Sequence, residues 1–369
     1  MGIFKRRINR WMMAEFGTKP SDRDSKLIKF FYRTGNALKG LKLKKSDFIE
    51  EAGKFCSAQG RTAEEMGAMF ADYKRTYTKT AMSVGQYMNL GFFGMDEAER
   101  SRFCTSSLFS YVFYCNYFNP FKKRGITADK VKLATLFPEY FRRPFMAFDN
   151  RTDYKEFEAF CLTHKELFIK GRFGSGGTDA RKAHTETAGD VAALFEELVG
   201  KYYIIEGLIT SEETFAEFSS DAVNTLRITT VRTGDEVKIP LAFARFGDGN
   251  GVVDHVGYGS VCAAVDVESG RVLLPARDVY GFPHTVHPDS GKQIVGYQFK
   301  NWDRCIAMVR DMALRIPDLR LVGWDVAINS DGEWVLVEGN STGALAVCQS
   351  YSGEGIAPIL DEIIRRDLG

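Results

Sequence analysis

The segment GWDVAINSDGEWVLVEGN, residues 323 to 340, constrains the fold more than any other part of this chain. It consists of two runs rich in Val, Ile and Trp around an Asn-Ser-Asp-Gly turn, which is typical of a β-hairpin. If the loop has about two or four residues, Asp325 lies opposite Leu336 and Gly323 lies opposite Glu338. Asp325 and Glu338 then become diagonal neighbours across the hairpin.

Side chains in a strand alternate between two faces, so Asp325, Glu338 and Asn340 are expected on one face, roughly 5 to 8 Å apart. The core residues are expected on the other face: Val322, Trp324, Val326, Val335 and Val337. Neighbouring carboxylates in an apolar hairpin repel each other unless a cation lies between them, and Mg²⁺ prefers such oxygen ligands. The pattern predicts a magnesium site, with a solvated strand end as the alternative.

A glycine-rich stretch, ELFIKGRFGSGGTDARK, follows a short apolar strand at residues 166 to 182. The strand delivers Lys170, and a loop with four glycines follows. Glycines let a backbone approach phosphates closely, and a lysine at the strand end supplies positive charge. The order is neither a Walker A motif nor G-x-G-x-x-G, so a simple turn remains the alternative to a phosphate-binding loop.

The stretch KYYIIEGLITSEE, residues 201 to 213, is an apolar strand that ends in Glu206. It is either an ordinary core strand or a hinge whose backbone pairs with an adenine edge. The residues alone favour the core strand.

Composition narrows the class of protein. A chain of 369 residues with 44% hydrophobic content can bury a large core, and a net charge of +1 gives no reason to expect nucleic-acid binding. Basic residues concentrate near the start, in FKRRINRW and KGLKLKKSD. These segments indicate either solvated helix faces or a patch for a membrane surface or an anionic polymer.

The cysteines are seven, scattered, and without a C-x-x-C pair. This usage is typical of reduced thiols in the cytoplasm. We expect no signal peptide, because the basic start is not followed by an apolar h-region and a small-residue cleavage site. We expect no transmembrane helix, because the most apolar early stretch, residues 107 to 121, is short, contains Tyr, Ser and Asn, and is interrupted by Pro120. That stretch is interpreted as a buried helix.

The chain divides into three parts by pattern. Residues 1–120 are expected to be mainly helical, since they show helical spacing of apolar residues and no convincing strand. Residues 121–225 alternate helices with short strands, and residues 226–369 contain β-branched runs separated by turns. The sequence therefore predicts an α+β protein with a helical N-terminal region.

The order of these motifs resembles the ATP-grasp superfamily. More narrowly, VNTLRITTVRTGDEVKIPLAFARFGDGNGVVDHVGYGSVCAAVDVESGRV (223 to 272), followed by GWDVAI and LVEGN, resembles the sugar-transfer associated ATP-grasp family found among polysaccharide-biosynthesis genes. The likeness covers roughly residues 125 to 369. It implies an ATP-grasp fold in which two α+β subdomains, 121–225 and 226–369, clamp ATP.

The resemblance also implies roles for individual residues. Arg227 and Arg245 would face the transferred phosphate as catalytic groups, and Glu338 would bridge Mg²⁺ ions held also by Asp325 and Asn340. Glu212 is an alternative to Glu213 for the ribose. The ATP-binding set is Lys130, Lys170, Ser175, Gly176, Gly177, Glu206, Leu208 and Glu213, and the substrate set is Asn224, Thr225, Asp254 and His255.

One departure from the family pattern concerns Asp254 and His255, where Asp-Asn and paired glycines would be expected. His255 is either a substrate contact or acid-base group, or a packed loop histidine.

His284 and His287 could share a metal only on a helix, and the flanking Pro283 and Pro288 argue against one.

The implied activity is that of an ATP-dependent carboxylate–amine ligase acting through an acyl phosphate, with small-molecule carboxylate and amine substrates such as a sugar acid or amino acid. A kinase that phosphorylates a hydroxyl, and a nucleotide-binding scaffold without turnover, are the alternatives. The complete set of Lys, Arg, Asp, Glu and Asn argues against the scaffold.

Overall fold

The computed structural model describes residues 16, 18–56, 62, 64–174, 179–219, 223–247, 260–343 and 345–368. Ser175, Gly176, Gly177, Asp254 and His255 lie outside these ranges, so their predicted roles stay predictions.

The N-terminal region is helical, as expected. Between the N-terminus and residue 120, the described residues form helices and no strand. The stretch interpreted as a buried helix is one: a π-helical turn at Leu108–Val112 leads into a buried helix that ends before Pro120. The helices are α1 (Pro20–Asp24), α2 (Lys26–Gly40), α3 (Lys45–Cys56), α4 (Glu65–Thr80), α5 (Val84–Asn89), α6 (Glu97–Ser101) and α7 (Phe113–Phe118).

A small antiparallel sheet follows. Its strands are β1 (Phe145–Phe148), β2 (Glu166–Gly171), β3 (Arg181–His184) and β4 (Tyr203–Gly207), in the order β1-β4-β2-β3. Three short helices, α8 (Gly125–Ala128), α9 (Lys130–Leu136) and α10 (Pro138–Phe141), precede it. Two longer helices, α11 (Tyr154–His164) and α12 (Ala188–Leu198), pack on one face of it and enclose a core around Phe157 and Ile169.

A larger antiparallel sheet occupies the C-terminal part. Its strands are β5 (Thr225–Thr233), β6 (Glu236–Phe246), β7 (Val261–Ala264), β8 (Ala276–Arg277), β9 (Pro283–His284), β10 (Leu321–Ile328) and β11 (Trp334–Asn340), in the order β11-β10-β5-β6-β7-β8-β9. The remaining helices are α13 (Glu213–Ala216), α14 (Trp302–Arg315), α15 (Leu345–Ser352) and α16 (Ala357–Leu368). The described part of the chain therefore has the predicted α+β composition.

The two faces of the large sheet pack against different parts of the chain. Val322, Trp324 and Val326 of β10 face a core that includes α14. Leu321 and Phe243 face a second core, built from α7, α15 and α16. The alternation of strand side chains therefore places the N-terminal helices and Asp325 on the same side of the sheet.

The hairpin forms, but the expected register is wrong. Asp325 pairs directly with Glu338 rather than with Leu336, and Gly323 pairs with Asn340. A β-bulge next to Val326 adds one residue, so Leu336 instead of Val335 faces Val326 and the apolar core. The bulge moves Glu338 from a diagonal position to the position directly opposite Asp325.

The N-terminal helices hold the turn that follows the hairpin. The Asn119 side-chain amide donates hydrogen bonds of 2.5 Å to the carbonyl oxygens of Leu321 and Ser341, and the Cys115 thiol lies 3.6 Å from the Thr342 carbonyl oxygen. Asn119 is fully buried. The helical region is thus tied to the strand end that carries Asn340.

Cys104, Cys115, Cys161, Cys262 and Cys305 are free and buried, as the scattered spacing indicated. Within the described ranges, no helix is both long enough and apolar enough to cross a membrane.

Gly270 provides a test of close packing beside α14. It has φ +70°, and an added Cβ would lie 2.3 Å from the Trp302 ring. Gly234 has a similar φ of +55° but open space around it. Gly234→Ala should cost about 1–2 kcal/mol from backbone strain alone. Gly270→Ala should cost at least about 2 kcal/mol more, because Trp302 must move. Equal losses in urea unfolding would show that Trp302 is not fixed there.

Candidate active site

Asp325 is held between two arginines from neighbouring strands. Strand β5 places Arg227 directly opposite Asp325 of β10, and β6 places Arg245 opposite Thr225. Arg227 donates from Nε to Oδ1 at 2.5 Å and from Nη2 to Oδ2 at 2.7 Å, while Arg245 Nη2 also donates to Oδ1. Burial alone would raise the pKa of Asp325, but the two guanidinium groups outweigh it and lower the pKa.

Gly323 makes room for this arrangement. A Cβ at Gly323 would lie 2.9 Å from Cδ of Arg227 and 3.1 Å from Cα of Gly343. Any larger residue would therefore push the Arg227 side chain away from Asp325. A glycine inside a strand often marks such a close approach.

The small sheet contributes a second buried ion cluster around Glu206. Lys170 lies diagonally from Glu206 across β2 and β4, and its Nζ is 2.8 Å from Oε1. Arg143 donates to Oε2 at 2.9 Å from Nε. Burial would raise the pKa of Glu206, but Arg143 and Lys170 together lower it.

Lys130 and Glu338 lie between these clusters. Lys130 Nζ is 3.9 Å from Oε2 of Glu338 and donates to the Gly174 carbonyl oxygen at 2.9 Å. Asp129 caps the N-terminus of α9, which carries Lys130, and its carboxylate accepts a hydrogen bond from Val131 N in the first turn. The same carboxylate accepts from Nε and Nη2 of Arg172, each at 2.8 Å. Burial lowers the pKa of Lys130, and the nearby charge of Glu338 offsets part of that shift.

Glu338 differs from the other two carboxylates. Burial and the charge of Asp325 raise its pKa, and Lys130 only partly compensates. Its side chain keeps 24% of its surface exposed. Glu338 is therefore the carboxylate at this site that most needs a further cation.

Lys170 connects the two sheets, because its Nζ also lies 3.4 Å from the carbonyl oxygen of Val337 in the bulge. The clusters together contain five cationic side chains and three carboxylates, which leaves two positive charges in excess. A surplus of this sign favours a polyphosphate anion with its magnesium over a bare metal ion. The cationic set is Lys130, Arg143, Lys170, Arg227 and Arg245.

The predicted metal ligands fit Mg²⁺ in part. They share one face of β10 and β11, and Glu338 offers a carboxylate with raised pKa. Asp325 already bonds two arginines, and Asn340 Oδ1 accepts from Thr342 N at 2.9 Å and Thr342 Oγ1 at 2.6 Å. Among the described residues, no group of three or more His, Cys, Asp or Glu side chains could hold a metal by itself. Magnesium would therefore need oxygen ligands from a bound nucleotide or water.

The residues proposed for the adenine and ribose end have different exposures. Glu206 is 2% exposed and engaged with Lys170 and Arg143. Leu208 is half-buried and Glu213 is exposed. The other candidate, Glu212, caps the N-terminus of α13 and pairs with Lys300 at 2.5 Å. Of the two acids considered for the ribose, Glu213 is thus the one left accessible.

The two described residues predicted to contact substrate also differ in their surroundings. Thr225 is buried opposite Arg245, close to the arginine cluster. Asn224 is fully buried, donates to the Phe215 carbonyl oxygen at 2.6 Å and accepts from Gly247 N at 2.9 Å. Asn224 can reach a substrate only if these backbone contacts break. His284 lies in strand β9, which agrees with the expectation that HTVH is not helical.

Sequence reasoning missed Arg143, Arg172, Lys300 and Gly323. Arg143 had a weak signal, since it is the second of two arginines before Pro144 and the first strand of the small sheet. Gly323 had a clearer one, as a glycine within a strand next to a charged position. Arg172 and Lys300 could not be assigned without knowing that Asp129 and Glu212 lie beside them.

Comparison with known proteins places the chain in a family. The model of the family described as sugar-transfer associated ATP-grasp matches residues 112–365. A comparison with curated proteins found no match.

Several solved structures are similar at low identity. The ATP-grasp ligase PsnB, complexed with minimal precursor, Mg and ADP, is 14% identical, with 70% of this chain and 68% of that chain covered and a TM-score of 0.40. D-alanine–D-alanine ligase from Bacillus anthracis, complexed with ATP, is 11% identical, with 68% and 69% covered and a TM-score of 0.43. D-alanyl-alanine synthetase A from Vibrio cholerae is 12% identical, with 67% of both chains covered and a TM-score of 0.42.

Neutralising Glu338 and neutralising Asp325 should have opposite effects on stability. Glu338→Gln removes a half-buried charge whose pKa is raised, so without nucleotide its melting temperature should exceed that of the parent. Asp325→Asn leaves Arg227 and Arg245 without their buried partner and should cost about 3–5 kcal/mol. Thermal unfolding at neutral pH measures both changes.

The pH dependence separates this explanation from a simple packing effect. A raised native pKa means that the contribution of Glu338 to stability is lost as pH rises through that pKa. The advantage of Glu338→Gln should therefore shrink in acid and grow toward neutral pH. An advantage that is constant with pH, or a stabilised Asp325→Asn, would contradict the electrostatic account of the site.

Proposed function

Because this chain belongs to the sugar-transfer associated ATP-grasp family, we propose that it is an ATP-dependent ligase that joins a carboxylate to an amine through an acyl phosphate. The substrate class we propose is a sugar acid or an amino acid used in polysaccharide or related biosynthesis. One observation carries the proposal: the carboxylate of Glu338 lies near the charges of Lys130, Lys170 and Arg227, yet its pKa stays raised, so its counter-charge is incomplete.

Nucleotide binding is assigned to the side of the small sheet. Lys130 and Lys170 come from separate elements, yet both lie beside β11, through Glu338 and the Val337 carbonyl respectively. Two positive charges there suit the phosphates of ATP. Ser175, Gly176 and Gly177 would add backbone donors to the same phosphates. Beyond them, β4 and its continuation would hold adenine next to Leu208 and ribose at Glu213.

Magnesium is assigned to Glu338 and Asn340, with Asp325 as the third oxygen ligand. When bound with ATP, the ion would neutralise phosphate oxygens and favour transfer of the terminal phosphoryl group. Since Asp325 is also bonded to Arg227 and Arg245, it would fix the position of these guanidinium groups relative to the ion.

Arg227 and Arg245 are assigned to the reacting groups. A phosphoryl acceptor and ATP are both anionic, so their approach requires positive charge at the point of contact. The guanidinium fork binds carboxylates and phosphates in a fixed geometry. Thr225, opposite Arg245, is placed to line the acceptor side.

The location we propose is the cytoplasm, because the five described cysteine thiols are free. The partners we propose are small-molecule carboxylate and amine substrates and no nucleic acid, consistent with a net charge of +1.

The central test is a screen for substrate-dependent ADP release. The purified chain is incubated with ATP, Mg²⁺ and pairs of amino acids, uronic acids and amines. We expect release that requires both a carboxylate and an amine, with an amide product by mass and no release by Glu338→Gln. A stable phosphorylated product without an amine requirement would identify a kinase instead. Full turnover by Glu338→Gln would remove the magnesium assignment.

Lys170 gives a sharper test of the nucleotide side. Lys170→Gln leaves Glu206 paired with Arg143, so the small sheet should still fold. Loss of one charged contact to phosphate should weaken ATP binding by about 1.5–3 kcal/mol, roughly ten- to a hundredfold in Kd. Titration calorimetry measures the change, with the exposed Lys155→Gln in helix α11 as the matched control. Unchanged affinity in Lys170→Gln would exclude Lys170 from the phosphate site.

A further inference from the structure

Helix α2 has an apolar face that points away from the protein. Five large apolar side chains on and just after this helix are strongly exposed: Leu27 66%, Phe30 63%, Phe31 65%, Leu38 62% and Leu41 76%. We call these five residues the outward face. Isolated exposed apolar residues are common on protein surfaces, but a contiguous group of this size usually marks an interaction site.

The inner side of α2 is fixed by its contacts with the rest of the chain. Ile28 and Tyr32 pack against the core that lines the large sheet. The Tyr32 hydroxyl donates to the Thr80 carbonyl oxygen at 3.1 Å, and the Asn36 amide donates to the Thr78 carbonyl oxygen at 3.3 Å. Asn36 and Gly40, the next two positions at this four-residue spacing, are buried.

The outward face occupies a different stripe of the same helix. Leu27, Phe31 and Leu38 follow the three- and four-residue spacing that places side chains on one side of a helix. Each comes one or two positions before or after a residue of the inner row, which rotates it by about 100° or more around the axis. The helix therefore carries apolar residues on two sides: Ile28 and Tyr32 face the protein, and the aromatic pair Phe30 and Phe31 faces outward.

The charged residues of the segment that carries the outward face are of one sign. Residues 25 to 46 contain no Asp or Glu. Lys26, Lys39 and Lys42 are exposed, and each directly adjoins a member of the outward face in the sequence. The basic residues of this segment are Lys26, Lys29, Arg33, Lys39, Lys42, Lys44 and Lys45.

We propose that the outward face docks on an anionic lipid bilayer, with α2 lying in the plane of the membrane surface. Aromatic and leucine side chains would enter the boundary of the acyl chains, while the bordering lysines contact acidic headgroups. A second copy of the chain fits less well, because a two-fold contact between identical faces would bring these lysines together.

This proposal is independent of the ligase assignment. The outward face lies before residue 112, where the family match begins, and includes none of the residues assigned to ATP, magnesium or substrate. A measurement of membrane binding therefore does not test the ligase assignment, and a measurement of ligase activity does not test membrane binding.

The experiment is flotation of the full chain with vesicles of phosphatidylcholine alone or with about one-third phosphatidylglycerol. We expect binding to the anionic vesicles, weakened by added salt, and much weaker binding to the neutral ones. Combined Leu27→Gln, Phe30→Gln and Phe31→Gln should weaken anionic binding about tenfold or more, because the apolar contact is lost. The control Leu273→Gln with Leu274→Gln alters two exposed leucines outside the outward face and should bind like the parent.

A second variant tests the charge contribution without removing apolar side chains. Lys39→Gln with Lys42→Gln should reduce binding to anionic vesicles and change the melting temperature only slightly, since both lysines are exposed. The proposal is overturned if the parent binds neither vesicle, if it binds both equally, or if the triple variant binds like the parent. It is also overturned if the parent is a dimer in light scattering and the triple variant is a monomer.

Discussion

The pairing of Asp325 with Arg227 and Arg245 is the interaction on which the rest of the site depends. Two guanidinium groups on adjacent strands cannot remain buried side by side without an anion between them. Asp325 supplies that anion from the third strand, and Gly323 leaves the space that Arg227 needs. The large sheet thus fixes two arginines with N–H groups directed to one face. In the proposed ligase, positive charge fixed in this way would stabilise a transferring phosphoryl group with little reorganisation.

The same pairing accounts for the behaviour of Glu338. Asp325 remains ionised because the arginines lower its pKa, and its charge then raises the pKa of the carboxylate directly opposite. Lys130 reaches Glu338 at only 3.9 Å, so the compensation is incomplete. A cation brought in with an anionic nucleotide would satisfy Glu338 and the surplus positive charge together. In the proposed ligase, metal and nucleotide therefore favour each other's binding, since the metal neutralises Glu338 and the nucleotide neutralises the surplus positive charge.

Much of the fold and of the candidate site could be predicted from the sequence, and the features that were missed have identifiable physical reasons. The hairpin, the helical N-terminal region and the shared face of Asp325, Glu338 and Asn340 followed from alternation and turn chemistry. The register did not, because a bulge inserts a residue without changing the hydrophobic pattern, and Val335, Leu336 and Val337 are all apolar. Arg143 was missed for another reason: its partner Glu206 is 63 positions away, and no local pattern encodes such a contact.

The N-terminal helices connect the site to the outward face of α2. Asn119 holds the turn after Asn340, and α7 packs with Ile28 and Tyr32 of α2 into the core on the arginine side of the large sheet. Two well-packed segments therefore separate the outward face from the strand that carries Asn340. Closely packed protein interiors deform little. A bilayer bound to the outward face would therefore fix the orientation of the arginine cluster relative to the membrane. An acceptor presented at that membrane would then meet the site at a defined angle and distance. The reaction of a freely diffusing acceptor would not depend on α2.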